Sequence, residues 1–250
     1  MARVRKRHVQ QPLFKPHGGK RKGAGRPKQG ARASERHQAR PAVRASEPVH
    51  VTVRAVARVG RLRKHDIFLA VRDATICVAK HEDFRIVHLS IQGTHLHFIV
   101  EAASKRALAA GMRAFQISAA RQINRVLGER AGAKCGGQVF ADRYHARIMR
   151  TPREVRNCIA YVLNNWRHHG EDRTRRARAW DVDPFSSGIS FTGWRELADA
   201  ERMPVPPATY RPLLVWLPKS YLLSTLWRRH GLIRAREVPG GNHDDVRAEG

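Results

Sequence analysis

The sequence has 250 residues, with 48 Lys and Arg against 21 Asp and Glu, and its formal net charge of +27 accompanies a pI near 11.5. This charge exceeds what solubility requires, so it favours a polyanionic partner, with nucleic acid preferred over an anionic membrane. The chain has no apolar run long enough to cross a bilayer and no hydrophobic stretch behind its basic N-terminus, which argues against a membrane span or signal peptide and predicts a cytoplasmic protein.

The N-terminal region is strongly basic. Residues 1–45 contain 14 Lys and Arg and one acidic residue, Glu35, a composition that cannot bury a hydrophobic core. We predict that residues 1–47 form a flexible arm that binds DNA phosphates, with its central cations at Lys20, Arg21, Lys22, Arg26 and Lys28. The Gly25-Arg26-Pro27 triplet also resembles an AT-hook, although a single copy is a weak signal of minor-groove contact. A basic solubilising tail is the alternative.

Residues 48–170 have the patterning of a globular domain. Alternating valines from Val49 predict a first strand, and the apolar spacing in His65–Ala79 predicts an amphipathic helix. Phe84–Ile91 and Thr94–Glu101 are rich in β-forming residues and flank Gln92-Gly93, which predicts an antiparallel pair joined by a tight turn.

The second half of this domain follows the same logic. Lys105–Leu127 has helical spacing, and Gly128 is the predicted stop. Gly136–Arg150 reads as strand-like, and Thr151 is a predicted N-cap for a third helix that begins near Pro152. The order βαββαβ predicts an α+β fold, a ferredoxin-like split βαβ antiparallel sheet with helices on one face, plus this additional helix.

Residues 171–250 are less regular and are predicted to be a C-terminal extension. Leu213–Arg229 is rich in Leu and Trp but interrupted by Pro218, so one or two helices are expected there. The end of the chain, from Pro239, is expected to be disordered. The three cysteines are widely spaced without a CxxC pair, which favours free thiols over disulfides or a zinc site; they are Cys77, Cys135 and Cys158.

Two histidines flank Leu96 in an apolar run that predicts a strand. Because side chains alternate along a strand, His95 and His97 lie on one face and Leu96 on the other. Both imidazoles are therefore placed to hold one metal ion. A His-x-His pair is more often structural or exposed, so the motif needs support from elsewhere in the chain.

That support comes from the third predicted helix. Tyr161 and Asn165 are four residues apart and share a helix face, and they lie off the apolar stripe formed by Val155, Ile159, Val162 and Trp166. A phenol beside a metal site can attack a phosphodiester and hold the broken strand covalently, while an amide oxygen can bind the metal. The pattern predicts metal-assisted phosphoryl transfer with Tyr161 as nucleophile, and Tyr144 is the next candidate.

These motifs resemble those of a known family, the single-tyrosine HUH transposases, and in particular the REP-associated tyrosine transposases of bacteria. His95-Leu96-His97 is similar to the His-hydrophobic-His motif, and the segment Tyr161-Val162-Leu163-Asn164-Asn165 is similar to the Tyr-x-x-x-Asn motif. The basic Gly-Ala-Gly-Arg-Pro leader and the Pro184-Phe185-Ser186-Ser187 stretch also resemble this group. The resemblance covers about residues 48–170.

The resemblance implies a role for each matched residue. His95 and His97 would bind Mg²⁺ or Mn²⁺ with Asn165 as third ligand, and Tyr161 would be the nucleophile. The implied reaction is cleavage of single-stranded DNA at the foot of a palindromic hairpin, leaving a 5′-phosphotyrosine and a free 3′-OH, followed by strand transfer. The implied protein works in the bacterial cytoplasm, associates with the nucleoid and is often a homodimer.

Some points stay open at the level of sequence. Family members commonly have Pro after the Asn, whereas here Trp166 follows Asn165, so the helix is expected to continue. Zinc is not excluded, because two-histidine sites suit softer metals than Mg²⁺. Arg143, His145 and Arg147 alternate before the third helix, where they either line a DNA path or form a solvated basic face.

Two alternative functions compete with the enzyme. One is a non-catalytic protein that binds nucleic-acid hairpins, since ferredoxin-like sheets also serve as binding platforms. The other is a ribosomal-type basic structural protein, which explains the charge but leaves the histidine pair and the tyrosine to chance.

Overall fold

The computed structural model describes residues 41–238, except residues 142, 174–176, 178–179, 200–202 and 204. The predicted DNA-binding cations of the arm and the predicted disordered end from Pro239 lie outside the described residues. Val43, within the segment assigned to the arm, is buried in the core of the domain. No helix in the described part of the chain is long and apolar enough to cross a membrane.

A four-stranded sheet forms the centre of the domain. Its strands are β1 (Val49–Arg54), β2 (Phe84–Ile91), β3 (His95–Ala102) and β4 (His145–Ile148). They lie in the order β2-β3-β1-β4, and each neighbouring pair is antiparallel. This order, with the βαββαβ succession along the chain, confirms the predicted ferredoxin-like α+β fold.

Two helices cover one face of the sheet. They are α1 (His65–Ile76) and α2 (Lys105–Ala131), and they pack on the valines of β1 and the inward side chains of β3, such as Phe98. Gly111 permits the close approach of α2 to β2, because an added Cβ there would overlap the ring of Phe84. The predicted helix stop at Gly128 is wrong: α2 continues to Ala131 and ends at Gly132, whose φ of 63° is left-handed.

The last strand is shorter than the sequence predicts. Of Gly136–Arg150, His145–Ile148 alone forms a strand in the described residues. The preceding Gln138–Ala141 stretch is tied to β1 by separate contacts, including an isolated bridge between Ala55 and Phe140. Strand β4 lies at the edge of the sheet and pairs with β1 through four residue pairs. It is therefore shorter than the strand-like pattern of residues 136–150 predicts.

The opposite face of the sheet carries α3 (Pro152–His168) and a second core. Ile99 of β3 and Val87 of β2 contribute to this core. Val87 faces this core by ordinary alternation, and the irregular register between Ile86 and His88 then returns Leu89 and Ile91 to the first core. Helix α3 continues past Asn165 to His168, as expected because Trp166 stands where family members commonly have Pro.

The C-terminal extension wraps around α3. Its described residues include two short helices, α4 (Arg195–Ala198) and α5 (Tyr221–Ser224), and 3-10 turns at Glu171–Arg173, Ser187–Ser190 and Leu226–His230. A further 3-10 turn follows β1 at Ala57–Val59. The helical part of Leu213–Arg229 lies after Pro218, while residues 213–219 are not helical. The extension shares its core with α3, so it belongs to the same compact unit, His37–Gly250.

Candidate active site

The paired histidines lie near the start of β3, on the face that carries α3. Alternation places Leu96 in the first core and turns both imidazoles the other way, as predicted. His95 Nε2 and His97 Nε2 are 2.9 Å apart. Two nitrogen ligands about 2.1 Å from one ion and at a right angle to it would be separated by about this distance.

The remaining ring nitrogens have partners that fix both imidazoles. His97 Nδ1 lies 3.2 Å from Thr52 Oγ1 and 3.2 Å from His50 Nε2, both on the neighbouring strand β1. His95 Nδ1 lies 3.3 Å from Thr94 Oγ1. If each Nδ1–H donates to these acceptors, both Nε2 atoms present lone pairs to the same point.

The pKa values of these imidazoles favour the neutral form. Burial, with a contribution from His50 and then His95, lowers the pKa of His97 to about 2. Burial also lowers the pKa of His95 to about 4, assisted by His169 and Arg54. Neutral imidazole is the form that binds metal, so the site is ready to do so at neutral pH without losing a proton.

Tyr161 faces this pair from α3. The helix begins with a capping box, in which the side chains of Thr151 and Glu154 each accept a hydrogen bond from the other's backbone N–H. Pro152 occupies the first turn. The Tyr161 ring packs edge-on against His97 at 5.1 Å between centroids, and against His50 at 5.8 Å. Burial raises the pKa of the Tyr161 phenol, Cys158 adds to this, and Asn165 opposes it.

Asn165 is fully buried one turn beyond Tyr161. Its side chain lies close enough to the Tyr161 phenol to lower that pKa, but neither its Oδ1 nor its Nδ2 meets hydrogen-bond geometry with a described residue. An unsatisfied buried amide is costly, by about 1–3 kcal/mol, and is often explained by a bound group. Within the described residues no three His, Cys, Asp or Glu side chains form a metal-binding group. The two converging imidazole nitrogens and the Asn165 amide oxygen are donor types that fit a divalent cation.

Basic side chains continue the same face of the sheet. Arg147 pairs with His50, and His145 with Thr52, across β1 and β4, so both lie on the face of the histidine pair. Arg54, opposite His95, is exposed beside them. This row leads from the Tyr161 site to the open edge of β4 and suits an approaching phosphate backbone.

The structure places Tyr161 against His97, which lies beside His95, and Asn165 follows one turn after Tyr161 on α3. Tyr144, the second candidate nucleophile, is instead 7% exposed in the first core, on the α1 and α2 side. His50 and Thr52 were not among the predicted site residues. Their alternation with the valines of β1 places them on one face of that strand, but their contact with His97 depends on β1 lying beside β3.

Comparison with known proteins gives the family. Residues 46–165 match the family model described as transposase IS200 like. This segment of the chain belongs to the IS200-like transposase family. No curated protein matches the sequence. The matched segment ends at Asn165 and also contains His95, His97 and Tyr161, so the site described above lies wholly within the transposase domain.

Two solved structures are similar to the chain. One is described as a REP-associated tyrosine transposase bound to a REP hairpin; it is 16% identical, with a TM-score of 0.47, and the match covers 72% of this chain and 99% of that one. The other is a candidate transposase from Deinococcus radiodurans R1, 12% identical with a TM-score of 0.34, covering 48% of this chain and 87% of that one.

Proposed function

We propose that this transposase domain cleaves and rejoins single-stranded DNA at palindromic hairpins, as a REP-associated tyrosine transposase, with Tyr161 as the nucleophile. The observation that carries the proposal is the edge-on contact of Tyr161 with His97, whose Nε2 converges with that of His95. Metal-assisted phosphoryl transfer needs a nucleophile beside a metal-binding group. The Tyr161 phenol and the two neutral imidazoles provide these components.

In the proposed step, Tyr161 Oη attacks the scissile phosphorus as its proton leaves. The bond from phosphorus to the 3′ oxygen breaks, and that oxygen takes up a proton to become a free 3′-OH. The product is a 5′-phosphotyrosine, which preserves the phosphodiester energy for rejoining with another 3′-OH. The raised pKa of Tyr161 means that the phenol is protonated at rest, so proton loss belongs to the attack.

His95, His97 and Asn165 would hold a divalent cation, Mg²⁺ or Mn²⁺. When bound, the cation supplies Lewis acidity at a non-bridging phosphate oxygen. The protein's own part is to orient the ligands: Thr52 and His50 fix His97, and Thr94 fixes His95. Two imidazoles suit softer metals than Mg²⁺, so Zn²⁺ is a competing ion for these ligands.

The test is covalent capture. Labelled single-stranded hairpin DNA from sequences that flank the gene is incubated with the protein and Mn²⁺ or Mg²⁺, then resolved on a denaturing gel. We expect a protein–DNA adduct that disappears in Tyr161→Phe and persists in Tyr144→Phe, a tyrosine buried on the other face of the sheet. An adduct retained by Tyr161→Phe would contradict the assignment. Tight binding without any adduct would favour a non-catalytic hairpin-binding protein.

A further inference from the structure

A cavity of about 360 Å³ lies beside the site, outside the residues assigned to chemistry. Its walls are mainly aromatic: Phe68, Trp166, Trp180, Phe185 and Tyr210. The exposed side chains of Arg61 and His65 lie at its rim. The volume lies at the lower end of the range for small-ligand pockets, about 300–1,000 Å³.

The aromatic walls are held by contacts with one another and with the backbone. Phe68 packs edge-on against Phe185 at 5.6 Å, and Trp180 lies 5.4 Å from Tyr210, between ring centroids. The Tyr210 hydroxyl donates to Pro184 O at 2.7 Å. These contacts keep the walls in place before any ligand enters.

The charges around the cavity are largely paired within the protein. Arg63 donates to both carboxylate oxygens of Asp183, at 2.8 and 2.9 Å, and covers the Phe185 ring at 4.6 Å. Arg61 pairs with Glu171 but keeps 54% of its side chain exposed. Arg63 is therefore a structural part of the wall, whereas Arg61 is accessible to an incoming phosphate.

One wall residue has an unmet hydrogen-bonding group. Trp166 is fully buried, and its indole Nε1 has no hydrogen-bond partner among the described residues. A buried N–H without an acceptor is uncommon, and here it belongs to a residue that lines a cavity. Because this N–H has no solvent-accessible surface, Trp166 supports the cavity wall from behind and offers no donor to a ligand.

The cavity adjoins the Tyr161 site through two elements. Trp166 directly follows Asn165 on α3. Glu171 reaches the β2–β3 turn, where a Cβ on Gly93 would lie 3.9 Å from its Oε1, and His95 begins β3 just after this turn. Helix α3 and the β2–β3 turn therefore each carry residues of the Tyr161 site together with residues of the cavity wall or their contacts.

We propose that this cavity binds one unpaired nucleobase of the single DNA strand, close to the scissile phosphate, by stacking it on the aromatic walls while Arg61 contacts its phosphate. The proposal rests on the proposed function for its substrate and adds a base-recognition site to it. Proteins bind single strands by such stacking on aromatic side chains in basic surroundings, and extruded bases occupy pockets of this kind.

The test couples the protein and DNA changes. Affinity is measured for a set of hairpin oligonucleotides, each with one abasic position in the single-stranded flank, against wild type and Trp180→Ala. We expect one position at which base removal weakens wild-type binding about tenfold but has little effect on Trp180→Ala. Trp180→Phe should restore the coupling, and Tyr221→Ala, an exposed aromatic outside the cavity, should leave it as in wild type.

The outcomes separate this proposal from the proposed function. If the Tyr161 adduct forms but no abasic position weakens wild-type binding more than it weakens binding by Trp180→Ala, the base site alone is overturned. If such a position exists but no adduct forms, the result supports the base site and counts against the proposed chemistry. Saturable binding of free deoxynucleotides, with no coupled position in the oligonucleotides, would assign the cavity to a free nucleotide and overturn the proposal. Circular dichroism on Trp180→Ala and Trp180→Phe establishes that both variants fold.

Discussion

Thr52 Oγ1 lies 3.2 Å from His97 Nδ1, across the β1–β3 pair in which the two residues are direct partners. A hydroxyl that accepts from Nδ1–H fixes the tautomer that presents Nε2 to a metal. His50 Nε2 lies 3.2 Å from the same nitrogen. The orientation of His97 is therefore set by two side chains of β1.

We predict that Thr52→Val weakens divalent metal binding about tenfold while the fold persists, because outer-shell partners of metal-binding histidines typically matter to this degree. Calorimetric titration with Mn²⁺ measures the change. Thr52→Ser is the matched control, since it retains the hydroxyl and should retain most of the affinity. Equal affinity in Thr52→Val and wild type would mean that His50 alone orients His97.

Removal of the ligand itself should have a larger effect. His97→Ala deletes one of the two converging Nε2 atoms, so we expect both Mn²⁺ binding and adduct formation to be lost, with hairpin binding largely retained. Excess chelator should mimic this loss in the wild-type protein, and added Mn²⁺ should reverse it. His145→Ala, an exposed histidine on the same sheet face, should keep metal binding. Undiminished Mn²⁺ affinity in His97→Ala would place the metal elsewhere.

The βαββαβ order and the His-x-His strand could be predicted because they depend on local periodicity. The end of α2 could not, because Gly128 fits in the helix and the left-handed turn comes at Gly132. The partners of His97 required knowing which strand lies beside β3. The packing of Val162 and Leu163 against the extension could not be predicted either, because the irregular sequence of the extension carries no periodic signal.

The extension secures the tyrosine helix through Arg156. This arginine forms a two-pronged ion pair with Glu237 and donates to Leu232 O at 3.0 Å. We predict that Arg156→Ala lowers the free energy of unfolding by about 1–3 kcal/mol, because it leaves a half-buried carboxylate and a carbonyl without their donor. Arg153→Ala, on the exposed side of the same helix, should change it by less than about 0.5 kcal/mol. Urea denaturation measures both, and equal effects would contradict this role for Arg156.

Burial of His88 makes stability depend on pH. Its pKa is lowered from 6.5 to about 4 by burial against the second core. As the pH falls from about 6.5 to about 4, the unfolded chain binds a proton that the folded protein does not, so the free energy of unfolding decreases. His50, His95 and His97 act in the same sense. We expect His88→Gln to reduce the slope of unfolding free energy against pH by up to one proton, measured by urea denaturation across this range.

The control for this pH effect is His230→Gln, a matched substitution of an exposed histidine. If His88→Gln and wild type have the same slope, the folded protein accommodates a charged His88. The site histidines would then account for the whole dependence.

The basic arm should contribute to DNA affinity through phosphates. Deleting residues 1–40, which stops short of the buried Val43, should reduce the salt dependence of single-strand binding by ~0.7 in the log–log slope for each DNA phosphate that the arm neutralises. Replacing the five central cations by Gln in the full chain should give a smaller reduction in the same direction; they are Lys20, Arg21, Lys22, Arg26 and Lys28. Fluorescence anisotropy at several salt concentrations measures both slopes. An unchanged slope in the deletion would show that the arm does not touch DNA and would leave the β4 face, with Arg147 and His145, as the principal phosphate-binding surface.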